Sequence, residues 1–221
     1  MRKAFTLAET LITLAIIGIV AAITIPSLMN KTQDQELKSA WKKQYSTLAN
    51  AFYLILSENG GNIKGLCSDD ACLLNLFKDK LIVQKSCPTN AQTNCYVPSS
   101  TIKTLANVEA NNAITSLNSG LVLSDGSVLI SHFKDVTCNY HLYFSTSKKT
   151  CGSIFVDVNG KRKPNTQGKD IFQVMIDENK MWPAGSENDD IYLDRGDHDC
   201  GTTYTEATYA GLGCSAKYLY E

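Results

Sequence analysis

The first 25 residues set a polar–apolar contrast that no later segment repeats. Residues 1–4 (MRKA) carry two positive side chains, and residues 5–25 (FTLAETLITLAIIGIVAAITI) are apolar apart from threonines, Gly18 and a single carboxylate, Glu9. As a helix these 21 residues would measure about 31 Å, close to the thickness of a bilayer core. Beyond Pro26 the pattern becomes amphipathic. Leu37, Trp41, Leu48, Phe52 and Ile55 recur at spacings of 4, 7, 4 and 3, which is one helical face, with Lys38, Lys42, Lys43 and Gln44 largely off it. Gly60 and Gly61 end this helix. A single helix is therefore expected from the apolar segment onward, with Pro26 as its point of interruption if there is one. Asp70–Val83 reads as a short helix with Leu73, Leu74, Phe77 and Leu81 inward. Residues 84–100 read as loop, and 101–117 give a weak helical pattern. Strands are predicted at Leu121–Ser124 and Ser127–Phe133, flanking Asp125-Gly126 as a two-residue hairpin turn, and at Tyr140–Phe144, Ser153–Val158 and Ile171–Ile176. A long helix, an irregular middle and an antiparallel meander predict an α+β fold, with the helix packing its apolar face on one side of a small sheet.

Composition narrows the picture. The chain has 221 residues, 21 basic and 22 acidic, for a net charge of -1. That is one modest domain, and the balanced charge argues against a protein that lives on bulk nucleic acid. Charged residues are 19%, below the level of a disordered, charge-dominated chain. The mean hydropathy is slightly negative, which excludes a multi-span membrane protein. Arg2 and Lys3 should stay cytoplasmic by the positive-inside rule, so the chain beyond the apolar segment would lie outside. The eight cysteines then fall in an oxidising compartment. A secretory signal peptide cut near Ala21 and Ala22 is the other reading of the same segment. Glu9 does not suit a plain anchor, since a carboxylate at the centre of a span costs on the order of 3 kcal/mol. Either it lies near the interface and stays hydrated, or it meets a positive group on a neighbouring chain.

The basic leader, then Ala4-Phe5-Thr6-Leu7-Ala8-Glu9, then an apolar helix with Gly18 and Pro26, resembles the type IV pilin and type II secretion pseudopilin family. The resemblance implies a pilin-like α+β fold with a disulfide-rich head. It implies cleavage between Ala4 and Phe5 by a prepilin peptidase and N-methylation of Phe5, which makes Glu9 the fifth mature residue. Ala4 stands where the family usually has Gly and is its nearest steric substitute. Glu9 becomes the assembly residue, paired with the new amine of a neighbouring subunit in a packed core. Gly18 and Pro26 become weak points of the helix that can stretch or melt on assembly. The implied organisation is a leader (1–4), a transmembrane and polymerisation helix (5–26) and a soluble head (27–221). The head would comprise a continuing helix (27–59), an irregular region (60–120), and a sheet with a C-terminal disulfide loop (121–221). The implied partners are a prepilin peptidase, like or related pilin subunits and an inner-membrane assembly platform, with no nucleic acid required. The implied location is the bacterial inner membrane, single-pass with the head outside the cytoplasm, and then a periplasmic or extracellular fibre. Phe155–Ile176 also looks like a recurring pseudopilin segment.

The cysteines pair naturally as neighbours: Cys67 with Cys72, Cys87 with Cys95, Cys138 with Cys151, Cys200 with Cys214. This is one choice among 105 connectivities for eight cysteines. The last pair resembles the C-terminal disulfide loop of many pilins. No zinc-knuckle or redox CxxC spacing occurs. An acidic run, Glu187, Asp189, Asp190, Asp194, Asp197 and Asp199, is either a solvated loop or a calcium loop of the kind some pseudopilins carry near the C-terminus; no other cofactor is implied. The Asp157-x-Asn159-Gly160 segment fails the EF-hand pattern and is expected to make turn hydrogen bonds. His132, His141 and His198 are isolated in sequence, with His132 and His141 in strand-like stretches, and no G-x-S-x-G, Walker loop or H-E-x-x-H appears. The leading function is thus a structural subunit, pilin or pseudopilin, and not an enzyme. The alternative is a membrane-tethered extracytoplasmic binding module, an adhesin or lectin that uses the helix only as an anchor. An anchored periplasmic enzyme has the least support.

Overall fold

In the computed structural model, residues 6–110, 119–141, 149–186, 200–201 and 210–221 are described. The helix α1 (Leu7–Glu58) has 52 residues and runs through Gly18 and Pro26 without a break. Pro26 does not interrupt it: the ring removes one backbone donor, and the neighbouring turns hold the helix. The chain forms two compact units, Met1–Glu36 and Leu37–Glu221, and α1 contributes to both.

In the second unit α1 buries Leu37, Trp41, Gln44, Leu48, Ala51, Phe52, Ile55 and Leu56. Burying each large apolar side chain contributes about 1.5–3 kcal/mol, which compensates for the modest intrinsic helicity of this aromatic-rich segment. Gln44 corrects the expectation that it lies off the buried face. It follows Trp41 by three residues, so it shares that stripe, and it is only 3% exposed. The helix closes where the Gly61 N–H donates to the Leu56 carbonyl at 2.7 Å.

The remaining helices are α2 (Asp70–Lys78), α3 (Ala91–Asn94) and α4 (Cys214–Tyr220). Asp69 caps α2 by accepting from the Cys72 N–H at 2.8 Å. The strands are β1 (Val83–Cys87), β2 (Gly120–Leu123), β3 (Val128–Phe133), β4 (Gly152–Asp157), β5 (Ile171–Ile176) and β6 (Met181–Pro183). They form a six-stranded antiparallel meander in chain order.

Several elements differ from the sequence reading. The helix expected over Asp70–Val83 ends at Lys78, and the loop expected over 84–100 contains β1 and α3. β1 (VQKSC) is a polar edge strand whose Lys85 faces solvent, so it lacks the alternation that marks a half-buried strand. Residues 142–144 of the strand expected at Tyr140–Phe144 lie outside the described residues, and Tyr140 makes only an isolated bridge to Thr150. The β2–β3 turn spans three residues, Ser124–Gly126, because the Leu123 N–H bonds the Ser127 carbonyl at 2.9 Å and the Gly126 N–H bonds the Leu123 carbonyl at 3.0 Å. Gly126 takes φ 88°, a left-handed conformation that glycine adopts without a Cβ clash.

Both faces of the sheet are covered. Leu129, Ile154, Val156, Phe172, Val174 and Ile176 pack with α1 and α2. Val128, Ile130, Phe155 and Ile171 pack under Tyr96, Val97, Ile102, Ala110 and Leu212. Hence β4 and β5 are buried at every position. Trp41 stacks on Phe172 at 4.6 Å between centroids, and its Nε1–H donates to the Ser215 carbonyl at 2.8 Å. Four disulfides staple the second unit: Cys67–Cys72, Cys87–Cys95, Cys138–Cys151 and Cys200–Cys214. A long N-terminal helix, a six-stranded antiparallel sheet and four disulfides make an α+β, pilin-like architecture.

Candidate functional site

Ala4 and Phe5 lie outside the described residues. From Thr6 the first unit is defined. The Thr6 N–H and hydroxyl both donate to Glu9 Oε2 at 2.9 Å, and the Glu9 N–H donates to Thr6 Oγ1 at 3.3 Å. Threonine at the N-cap with glutamate three residues on is a capping box, and it ties two otherwise unpaired N–H groups at the helix start. The carboxylate also sits at the positive end of the helix dipole. In the single chain, then, Glu9 is held by Thr6 and projects from the first turn.

The apolar residues that follow have no partner within their unit. Leu7 is 79% exposed, Leu14 66%, Ile17 63%, Ile23 70% and Ile25 54%. They occur on all sides of the helix, so no single buried stripe would cover them. The polar side chains among them are satisfied locally. Thr10 donates to the Leu7 carbonyl at 2.8 Å, Thr13 to that of Thr10 at 2.9 Å and Thr24 to that of Val20 at 2.9 Å. Such back-bonding lets a hydroxyl enter an apolar medium without losing a hydrogen bond. α1 is long enough and apolar enough to cross a membrane, which fits a single-pass, membrane-anchored protein. A Cβ built on Gly18 meets nothing within 4 Å, so nothing in the chain itself requires glycine there. Glycine in an apolar helix permits close approach by another helix.

The other residues singled out from the sequence are scattered over the second unit. Glu187, Asp189, Asp190, Asp194, Asp197, Asp199 and His198 lie outside the described residues. His141 is exposed. His132 is buried on β3, its Nδ1 has no hydrogen-bond partner, and burial together with Lys134 lowers its pKa to about 4. It is neutral and makes no catalytic arrangement with the described residues.

A second concentration of polar groups, less visible in the sequence, lies in the β4–β5 loop. Asp157 Oδ1 accepts from the N–H groups of Asn159 (3.1 Å) and Gly160 (2.7 Å), the turn bonds expected of this segment. Asp170 accepts from Asn165 N–H (2.8 Å) and Thr166 N–H (2.6 Å). Both carboxylates are fully buried. Burial, and then the charge of Asp170, push the Asp157 carboxyl well above the usual carboxylate range; burial also raises Asp170. Tyr96 faces Asp157 without completing a good hydrogen bond. Sequence reasoning missed Tyr96 and Asp170 as members of this cluster, because one is distant in sequence and the other reads as an ordinary loop residue.

A family model described as the prokaryotic N-terminal methylation motif matches residues 1–25. No curated protein and no solved structure matches the chain. The chain therefore carries the N-terminal signal of type IV pilins and pseudopilins, which marks a pilin-like, prepilin-processed protein and points to a structural subunit.

Proposed function

We propose that this chain is a structural subunit, pseudopilin or pilin, that is cut after Ala4, N-methylated at Phe5, and polymerised through residues 5–26 into a type II secretion pseudopilus or a type IV pilus-like fibre. The observation that carries the reading is the methylation motif over residues 1–25, followed at once by a helix whose apolar side chains are exposed on every side. A helix of this kind needs lipid before assembly and other helices after it. Glu9 supports the same reading: it sits at the very start of the helix, where a neighbour's amine can replace Thr6 as its partner. Four disulfides agree with a head exported beyond the inner membrane. The partners are the prepilin peptidase, like or related subunits and an inner-membrane assembly platform.

Mass spectrometry of the mature N-terminus tests this directly. In cells with a prepilin peptidase the chain should begin with N-methyl-Phe5. An intact Met1 would leave a tethered binding module as the better reading, and a cut near Ala22 would make the segment an ordinary signal peptide.

A further inference from the structure

The β4–β5 loop poses a physical problem that no described residue resolves. Asp157 and Asp170 close the two ends of one loop: Asp157 pairs with Ile171 in the sheet, and the Val158 N–H donates to the Asp170 carbonyl at 2.9 Å. Two carboxylates are thus buried close enough to repel one another. No ion pair reaches either of them among the described residues. Three further side-chain oxygens of the same cluster are buried without a hydrogen-bond partner: Asn159 Oδ1, Asn165 Oδ1 and the Tyr96 hydroxyl, alongside Asp157 Oδ2 itself. The Asn159 side chain turns its amide N–H toward Asp170 and also donates from Nδ2 to the Lys163 carbonyl at 3.3 Å, Tyr96 faces Asp157, and Asn165 is tied to Asp170 through its backbone N–H. Buried oxygens in native proteins find partners, and a buried charge requires a counter-charge. Solvent-free acceptors gathered around two negative charges need a positive centre that several oxygens can share.

We propose that the β4–β5 loop is a calcium site, with Asp157 and Asp170 as its charged ligands and the amide oxygen of Asn165 as a neutral one, joined by that of Asn159 once its amide turns over. The donor set is all oxygen, which selects a hard cation. Calcium accepts 6–8 oxygens in a flexible geometry, whereas magnesium demands a near-octahedral shell and keeps its waters. Residues 157–170 contain no His or Cys, so a softer metal lacks its usual ligands there. The exposed Lys161, Arg162 and Lys163 on the same loop oppose a cation at long range and place the affinity at the weak end, about 10⁻⁴–10⁻³ M, as in extracellular calcium modules. The site is separate in sequence from the acidic run at 187–199 and does not depend on how the chain assembles.

The test uses the full chain in detergent, stripped with EGTA and titrated with calcium by calorimetry and with terbium by tyrosine-sensitised luminescence. The wild type should bind calcium saturably, gain thermal stability with it, and light terbium through Tyr96, so that Tyr96→Phe dims the emission. Asp157→Asn should lose affinity by about tenfold or more, the factor expected for removing one charged ligand. Asn165→Gly keeps the left-handed backbone of φ 50° while deleting the amide oxygen, so it should weaken calcium binding with the EGTA-state melting point unchanged. A variant carrying Asp189→Asn, Asp190→Asn and Asp194→Asn should bind as the wild type does. No saturable binding up to about 10 mM calcium, well above the expected range, would overturn the proposal and leave the two carboxylates to a shared proton or a buried water. Binding lost in the triple variant but kept in Asp157→Asn and Asn165→Gly would overturn it equally.

Discussion

At the scale of single residues, the buried polar groups of the head decide more than its apolar ones. Gln44 lies inside the α1 stripe and spends its amide on Asp125, donating from Nε2 to Oδ2 at 2.5 Å, while Lys43 reaches the same oxygen at 3.2 Å. One turn of helix is thereby fixed to the β2–β3 turn. His132 is a different case. Its folded pKa of about 4 lies below the ordinary histidine value of 6.5, so the native state prefers the neutral ring. The unfolded chain therefore binds the proton first, and the stability contributed by neutral His132 is present above pH 6.5 and is lost as pH falls toward 4. Between pH 7 and pH 5 this one group should cost the protein about 2 kcal/mol. Asp157 and Asp170, with raised pKa values, act in the opposite direction, so the measurement is a difference. Urea unfolding of the wild type and His132→Gln at both pH values should show the variant losing less stability from pH 7 to pH 5 than the wild type; equal changes would mean that His132 titrates normally.

At the scale of elements, two glycines illustrate what chain geometry asks of a turn. Gly126 takes φ 88° but a Cβ there would meet nothing within 4 Å. Gly168 takes φ 83°, and a Cβ there would lie 2.6 Å from the Gly211 Cα and from its carbonyl oxygen. The first glycine serves only the backbone conformation; the second also lets the segment before α4 press against the β4–β5 loop. Gly126→Ala should cost about 1–2 kcal/mol, and Gly168→Ala about 1–3 kcal/mol more, from overpacking. Chemical denaturation midpoints of the two variants give the comparison, and similar losses would deny the close approach. The same contact zone explains α4. Its first turn is held by the Cys200–Cys214 disulfide and by the Ala216 N–H bonding the Ala184 carbonyl at 3.0 Å. A seven-residue helix this short has little stability of its own, and docking supplies it.

At the scale of the whole molecule, the two units ask for opposite surroundings. The second unit encloses its core on both faces of the sheet, whereas the first presents apolar side chains on all sides. Glu9 separates anchoring from polymerisation. Removing a carboxylate from an apolar segment should leave membrane insertion intact or improve it. Assembly should suffer, because a neighbour's Phe5 amine would be stranded in a dry core at about 3–5 kcal/mol. The capping box refines the test. Glutamine can keep the hydrogen bonds to Thr6 while losing the charge, whereas valine loses both. Normal anchoring and leader removal with lost polymer in both Glu9→Gln and Glu9→Val would assign the defect to charge. Polymer restored in Glu9→Gln alone would assign it to the helix cap, and full assembly of Glu9→Val would remove the register role. Membrane fractionation, N-terminal mass spectrometry and sheared or cross-linked polymer read the three steps separately.

The sequence by itself determined the elements whose signal is local. A largely apolar run of 21 residues after a basic leader defines a spanning segment, and the period of Leu37, Trp41, Leu48, Phe52 and Ile55 defines a buried helical face, because both depend only on spacing along the chain. The apolar strands at Val128–Phe133, Gly152–Asp157 and Ile171–Ile176 were legible to within a residue for the same reason. Tertiary structure decided the rest. β1 is a strand because β2 offers it an edge, not because VQKSC favours one; β6 has three residues and exists through pairing with β5. Gln44 is buried because the β2–β3 turn arrives with an acceptor, and Tyr96 meets Asp157 and Asp170 only because the chain before β2 folds back over the sheet. Periodicity records which face of an element is apolar; it carries no information about which distant group will meet a polar one, and that meeting fixes the chemistry of the β4–β5 loop.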